Sequence, residues 1–196
     1  DVHVGIRHGT NPPPTTPDGM MANALIQPKL IRNAVGQPYP NEPAFDGLKL
    51  GNVAMPRGLF VLGDLTDGSK DPAMIEKQWA CFQRMYPVLG FNIDGTRVPV
   101  FACEGNHDGT PEEATRQGLL ERNRKLANSG LLAAVSSNGV HVAWEWNGVH
   151  FLSLGLCAAD TTDAEPPVKF GRPGPGRWNE PQGTLTFLRY FLVNNI

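Results

Sequence analysis

The sequence predicts a mixed α/β protein, and three patterns along the chain carry that prediction. Two short apolar runs, residues 59–63 and residues 98–105, each end in a polar loop that is followed by helical spacing of apolar residues. A strand, a loop and a helix are the natural interpretation of each run. Residues 140–146 then alternate in polarity, and Asn147-Gly148 and a further apolar run follow, which is typical of an antiparallel hairpin. Strands of both kinds with intervening helices favour a mixed sheet structure.

Three helices are predicted from periodicity and end signals. Residues 71–89 place large apolar side chains at helical spacing, behind Asp71 as the cap and Pro72 in the first turn. Residues 110–113 form a capping box, which opens a second helix that runs to about Asn128. The last helix is expected to present one apolar side, made of Leu185, Leu188, Phe191 and Leu192.

Residues 9–58 have the composition of a long loop. They hold half of the 18 prolines of the chain, together with many glycines and asparagines. Each proline removes a backbone donor and fixes φ, so regular structure is disfavoured here. A weak amphipathic pattern at residues 20–35 favours a helix, which Pro28 would interrupt.

Length and charge limit the class of protein. A chain of 196 residues that is 40% hydrophobic can bury one core, so residues 1–196 are expected to form a single domain. The net charge is -2 and no run of Lys and Arg is long, which argues against an extended nucleic-acid surface. No apolar run approaches the roughly 20 residues that a bilayer requires. We therefore expect a soluble chain without a membrane span, with its oligomeric state open and a lean towards a secreted or periplasmic location.

Sulfur and tryptophan side chains are assigned to the core. The cysteines are odd in number and show no CxxC spacing, so neither a disulfide framework nor a thiolate zinc site is indicated. Buried free thiols are expected instead at Cys81, Cys103 and Cys157. Trp144 and Trp146 share one strand face, which favours packing over a ligand platform.

Three short motifs carry polar side chains that suit metal and phosphate chemistry: D-V-H at residues 1–3, GDLTD at residues 63–67 and GNHD at residues 105–108. The last two follow predicted strands, and ligand groups gather at the carboxyl ends of strands in open α/β sheets. In an extended D-x-H segment the alternate residues Asp1 and His3 share a face and can hold one ion together.

The GD and GN motifs supply complementary ligands. Their glycines allow a sharp backbone turn that brings a short side chain close to the site. Asp64 offers a hard carboxylate that could bridge two divalent ions, and the amide oxygen of Asn106 is a neutral ligand for the second ion.

In this order, D-x-H, GD-x-x-D and GNHD resemble the motifs of the calcineurin-like metallophosphoesterase family. The resemblance covers nearly the whole chain, because the VHVAWEWNGVHFLSLG hairpin and the GTLTFLRYFL helix are also similar to secreted bacterial members. It implies a four-layer α/β/β/α sandwich with mixed sheets. It also implies two divalent metal ions, Mn, Fe or Zn, and hydrolysis of a phosphomonoester or phosphodiester by a hydroxide activated between them. The expected partner is a small phosphoester or a phosphoprotein substrate.

The resemblance implies a role for each motif residue: Asp1 and His3 bind the first metal, Asp64 bridges both, Asn106 binds the second, His107 contacts the phosphate and protonates the leaving group, and Asp108 orients His107. A carboxylate that is hydrogen-bonded to the far ring nitrogen would fix the tautomer of such a histidine.

The sequence departs from the family pattern at both ends. The family continues with a histidine at a later strand end and a Gly-His-x-His run, and an apolar strand precedes its D-x-H motif; none of these occurs here. We therefore expect a portion of a longer protein, lacking the first strand and the C-terminal histidine-bearing part. The alternative is a non-catalytic phosphate-binding or interaction protein with an incomplete metal site. Three downstream histidines in the full-length gene would separate these readings.

Other polar residues receive structural interpretations. His8 is assigned to the surface, and His141 and His150 to satisfied positions on the hairpin. Asp67 is expected to orient its loop or cap the following turn rather than bind metal. Arg7 is interpreted as a surface arginine, with a phosphate clamp as the alternative.

Overall fold

The computed structural model describes Val4 and residues 26–39, 50–67, 71–105, 107–108, 114–154 and 183–195. Within these residues lie four helices: α1 (Ile26–Ala34), α2 (Pro72–Met85), α3 (Ala114–Asn128) and α4 (Thr184–Asn195). They also hold seven strands: β1 (Leu59–Leu62), β2 (Phe91–Ile93), β3 (Thr96–Val98), β4 (Val100–Cys103), β5 (Ala134–Val135), β6 (Val142–Trp146) and β7 (Val149–Ser153).

Strands β1 and β4 form a parallel pair. Leu59 lies opposite Val100, and the register continues to Leu62 opposite Cys103. Helix α2 and the β2–β3 hairpin lie in the connection between them. Because parallel strands end at the same edge, the polar loops that follow β1 and β4 meet there. The strand-to-loop prediction for both segments is confirmed.

Helix α2 covers one face of this pair. The Asp71 side chain caps the helix by accepting from the backbone N–H of Ala73 at 3.0 Å, and Pro72 occupies the first turn as predicted. The helix buries the apolar side chains of Ile75, Trp79, Phe82 and Met85, and the last three share a core cluster with Val61 and Val100 of the strands. Leu89 does not belong to this stripe, because the helix ends at Met85 and the Leu89 side chain is exposed.

A second hairpin, β2–β3, precedes β4 and was not predicted. Asp94 and Gly95 connect its strands with φ of 48° and 84°, the positive values that a type I′ turn requires. The Asp-Gly pair between alternating apolar residues was the available signal. Pro99 then separates Val98 from β4, so the prediction of one continuous strand over 98–105 is wrong at its start. Proline cannot donate to a strand ladder, and the chain changes partner there.

The second sheet consists of β5, β6 and β7 in antiparallel order. Asn147 and Gly148 turn the β6–β7 hairpin with φ of 54° and 78°, as the Asn-Gly signal predicted. Its aromatic face meets the parallel pair in one cluster: Phe60, Phe101, Trp144, Trp146 and Phe151. The rings of Phe101 and Trp144 stack with centroids 4.3 Å apart, so the tryptophans pack as expected.

Helix α4 packs on the opposite face of the β6–β7 hairpin, through a side that overlaps the predicted one only in part. Phe187 and Phe191 are buried against Ala143, whereas Leu185 and Leu192 are exposed. Residues 187 and 191 are one turn apart and share a stripe, and residues 185 and 192 lie on its flanks. Phe191 is therefore buried as predicted, but the prediction is wrong for Leu185 and Leu192, and Phe187 occupies the core instead.

Helix α1 shows that Pro28 does not interrupt this segment. The helix begins at Ile26, so Pro28 lies in its first turn, where the missing backbone donor would have no helical partner.

The thiol predictions are met in part, because Cys81 is buried and Cys103 is half-buried. Cys157 lies outside the described residues.

Helices on parallel and antiparallel strands make this a mixed α/β structure, as predicted. Helices α2 and α3 contribute to the core on one face of β1–β4, and the aromatic cluster lies on the other. Among the described helices, none combines the length and the apolar character needed to cross a bilayer.

Candidate functional site

The loop after β1 turns through two residues with positive φ, Gly63 at 94° and Asp64 at 44°. A Cβ atom on Gly63 would lie 3.0 Å from the carbonyl oxygen of Glu104, so the backbones of the two loops are in contact here. Left-handed backbone costs a non-glycine residue roughly 1 kcal/mol and persists where its surroundings fix it. The turn aims the Asp64 carboxylate at the loop that follows β4.

Asp64 is fixed by the second loop. Its Oδ1 accepts a hydrogen bond from the backbone N–H of His107 at 3.0 Å, and the residue is only 9% exposed. Gly105 lies so close to Asp64 that a Cβ atom there would overlap Oδ1 and the backbone nitrogen. The glycine of the GNHD motif is therefore required by the aspartate of the GD motif, and the two motifs predicted to converge do so at these residues.

Asp108 ties the same loops together from inside the protein. Its Oδ2 accepts from the Gly105 N–H at 2.7 Å, and its Oδ1 accepts from the Thr66 N–H at 2.9 Å and the Thr66 hydroxyl at 3.2 Å. Since the Thr66 hydroxyl donates to Asp108, the Thr115 hydroxyl 3.3 Å away donates to Thr66. Burial raises the pKa of Asp108, and the hydrogen bonds from Thr66 and Gly105 oppose that rise.

These contacts correct the role expected for Asp108. Its carboxylate binds loop backbone rather than the His107 ring, whose Nδ1 lies 2.9 Å from the carbonyl oxygen of Asp67. A carbonyl oxygen only accepts, so Nδ1 carries the proton of this hydrogen bond. The Asp67 carboxylate also lies 3.7 Å from Nδ1, and the His107 side chain is 42% exposed. Asp67 thus holds the ring, which extends the loop-orienting role predicted for it.

Of the four predicted metal ligands, the structure describes Asp64. Asp1, His3 and Asn106 lie outside the described residues. Val4, which follows His3 in the sequence, forms a parallel bridge with Thr66, two residues after Asp64. The described residues contain no group of three or more His, Cys, Asp or Glu side chains arranged for a metal ion. A buried carboxylate fits a divalent ion as one donor, and the other predicted donors belong to the undescribed positions.

Sequence reasoning missed an ion pair at the base of this site. Glu104, immediately before Gly105, pairs with Arg116 of helix α3, and both side chains are buried. It also missed the threonine pair behind Asp108. Neither pairing has a signal in the sequence, because the partners are distant along the chain and belong to common residue types.

The interpretation of the hairpin histidines as satisfied is confirmed for His141 but not for His150, whose buried Nδ1 has no hydrogen-bond partner among the described residues. His141 is fully buried, with its Nε2 3.2 Å from the hydroxyl oxygen of Thr184 at the start of α4. The His150 ring contacts the edge of Phe191 at a centroid distance of 5.4 Å. His8 and Arg7 lie outside the described residues.

The fold and these loops define an α/β protein whose acidic and histidine side chains converge at the carboxyl edge of a parallel strand pair. Residues 1–182 match the model of a family described as calcineurin-like phosphoesterase. The chain belongs to this family, which confirms the resemblance seen in the motifs. Comparisons with curated proteins and with solved structures gave no significant match. Family membership supports a hydrolase role and phosphoesters as the substrate class.

Proposed function

We propose that this chain takes part in metal-dependent hydrolysis of phosphomonoesters or phosphodiesters. One observation carries the proposal: the backbone N–H of His107 donates to Asp64 Oδ1 at 3.0 Å, so the loops that carry the Asp64 carboxylate and the His107 imidazole meet at separate strand ends. Such a pairing suits a reaction in which one group binds a cation and the other moves a proton.

Two divalent ions, Mn, Fe or Zn, are proposed as cofactors, with Asp1, His3, Asp64 and Asn106 as their ligands in this chain. When bound, such ions supply positive charge for the phosphate and lower the pKa of water to about 7. Asp64 supports this assignment, because its carboxylate is held at a strained turn and oriented by a backbone donor. We also propose that the domain forms the four-layer α/β/β/α sandwich that the motif resemblance implies.

His107 is proposed to move the proton. Its Nδ1–H donates to the Asp67 carbonyl, so the ring has a fixed tautomer when neutral and Nε2 is the atom that gains or gives the second proton. The Asp67 carboxylate lies 3.7 Å from Nδ1, and the acid in this proposal is the doubly protonated ring. In that form Nε2–H contacts a phosphate oxygen and donates to the departing alkoxide, which is general acid catalysis.

The substrate in this proposal is a small phosphoester or a phosphoprotein. Asp64, His107 and Asp67 come from two neighbouring loops. These residues support binding of one phosphoryl group and protonation of its leaving oxygen in this proposal, but they do not select the rest of the substrate. Mono- and diesterase activity are therefore both to be assayed.

The test uses the full protein, freed of metal and then titrated with Mn²⁺, Fe²⁺ or Zn²⁺, with an aryl phosphate monoester and a diester as substrates. We expect turnover that requires added metal, and a loss of about 100-fold or more in Asp64→Asn and His107→Ala. His150→Ala is the matched histidine control, because its ring packs on Phe191 away from the site. Phosphate binding without turnover in the metal-loaded protein would favour the non-catalytic alternative and contradict the proposal.

A further inference from the structure

Glu104 and Arg116 form an ion pair that is buried beneath the candidate site. Glu104 lies between the last residue of β4 and Gly105, and Arg116 lies in the first turn of α3. Their side chains are 4% and 9% exposed, respectively, and an Nη1–H of the guanidinium donates to Oε2 of the carboxylate. The Arg116 Nε is buried without a hydrogen-bond partner among the described residues. The carboxylate and the guanidinium have therefore both been removed from water, and the hydrogen bonds of the guanidinium are incomplete within the described residues.

The position of the pair along the chain is informative. Residues 105–115 lie between Glu104 and Arg116, and they contain the GNHD motif. The ion pair thus joins positions on either side of the segment that carries the candidate site residues. The first loop lies close by, because a Cβ atom on Gly63 would lie 3.0 Å from the Glu104 carbonyl oxygen and one on Gly105 would overlap Asp64.

Stability alone is a poor reason for such a pair. A buried ion pair contributes little compared with apolar side chains of the same volume, because the desolvation of both charges offsets their attraction. What the ion pair adds is a defined orientation of the two side chains, because the planar guanidinium donates to a carboxylate in only a limited set of geometries. A fixed geometry matters most where neighbouring groups must meet a substrate within a fraction of an ångström.

We propose that Glu104 and Arg116 are positioning residues, which hold Gly105, His107 and Asp108 in the geometry beside Asp64 that the reaction requires. Neither side chain touches the substrate in this proposal. They act by keeping the His107 N–H on Asp64 Oδ1 and the Gly105 N–H on Asp108 Oδ2. The kinetic part of this inference rests on the proposed function, and its structural part does not.

The experiment compares three changes in the full protein. Glu104→Gln keeps the shape and removes one charge, Arg116→Lys keeps the charge and removes the planar fork, and Glu104→Leu combined with Arg116→Met removes both charges at similar volume. The matched control is Arg122→Met on the same helix, since Arg122 is also buried but donates to the Tyr86 carbonyl at 2.7 Å, away from the loops.

Three quantities are measured: hydrogen exchange at the amides of Gly105 and His107, Mn²⁺ affinity by calorimetry, and kcat and KM with an aryl phosphate. We expect faster exchange at both amides in all three changes, Mn²⁺ affinity lower by about 10–100-fold, and kcat lower by about 100-fold with KM nearly constant. Arg122→Met should lower the thermal midpoint without these effects.

The double variant keeps the test decisive if a single change unfolds the chain, because removing both charges leaves none buried alone. Wild-type exchange at Gly105 and His107 in a folded double variant would overturn the inference, and so would equal effects in Arg122→Met. If the wild-type protein shows no phosphoesterase activity, the proposed function fails, and the exchange data still decide whether the pair positions the loop.

Discussion

Asp64 and Gly105 show how two motifs come to depend on each other at the scale of single residues. Asp64 adopts a left-handed conformation, and its Oδ1 occupies the space where a side chain on Gly105 would begin. The polar contacts around them are short and mutual, with His107 donating to Asp64 and Asp108 accepting from Gly105. A change at any one of these positions is therefore expected to displace the others.

Gly105→Ala is predicted to destabilise the fold and to disable the site together. The added methyl group overlaps Asp64, and overpacking of this kind costs about 1–3 kcal/mol. Urea denaturation measures the loss in the free energy of unfolding. Gly90→Ala is the control, because the nearest atoms to its Cβ lie at 3.9 and 4.0 Å. Equal stability losses in the two variants would show that the contact at Gly105 is not the cause.

Asp67→Asn is predicted to reduce proton donation by His107. The backbone carbonyl that holds Nδ1 remains, but the carboxylate 3.7 Å from the ring is lost. We expect kcat to fall about 10-fold for an alkyl phosphate and much less for an aryl phosphate, because a good leaving group needs little protonation. The same change in a His107→Ala background should have no further effect. Equal losses in both backgrounds would contradict the ring-holding role.

At the scale of elements, helix α2 combines a predictable start with a less predictable end. Asp71 and Pro72 define the start through local chemistry. The C-cap is Tyr86, a core residue whose ring stacks on Phe82 and Phe91. Its burial is a tertiary effect that links the helix to the β2–β3 hairpin.

Tyr86 is predicted to make stability fall with alkaline pH. Burial raises the pKa of Tyr86 to about 12 from its ordinary value of 10.0. Between these values the unfolded chain loses the phenol proton while the folded protein retains it, so the free energy of unfolding decreases as pH rises. The contribution is fully present below pH 10 and declines by up to about 3 kcal/mol towards pH 12. Denaturation of the wild type and of Tyr86→Phe across this pH range measures the free energy of unfolding, which should fall more steeply in the wild type. Parallel curves would contradict the prediction.

At the scale of the whole molecule, two sheets are joined by aromatic packing. One face of the parallel pair contributes Phe60 and Phe101, and the hairpin contributes Trp144, Trp146 and Phe151. Phe101 is 2% exposed, whereas Phe60 is 43% exposed. Phe101 of β4 is therefore expected to contribute more to the stability of this interface than Phe60 of the neighbouring strand β1.

Phe101→Ala is predicted to cost about 3–5 kcal/mol in the free energy of unfolding, because a buried ring is replaced by a cavity between the sheets. Phe60→Ala is the matched comparison and should cost clearly less, since much of that ring already contacts solvent. Denaturant titration of both variants measures the difference. A larger loss in Phe60→Ala would place the centre of the interface on β1 instead.

Much of the fold follows from local pattern. The strands that precede both polar loops, the cap of α2, the end of α3 near Asn128 and the Asn-Gly turn were all predicted from neighbouring residues. The errors have different physical causes. The buried side of α4 is set by contact with Ala143, which is distant along the chain, whereas β4 begins after Pro99 because the residues before it pair with β2 in a local hairpin.

For the candidate site, the sequence by itself determined which residues are proposed to carry the chemistry. These are the Asp64 carboxylate and the His107 imidazole, which the order of the motifs and their glycines indicated. Only the tertiary structure decided which groups hold them. In the structure, the His107 ring is hydrogen-bonded to the Asp67 carbonyl oxygen. The Asp108 carboxylate accepts from the backbone N–H groups of Gly105 and Thr66. Glu104 forms an ion pair with Arg116. Residue type and spacing specify what a side chain can do, whereas hydrogen-bond partners depend on distances that exist only after the strands have paired and the helices have packed.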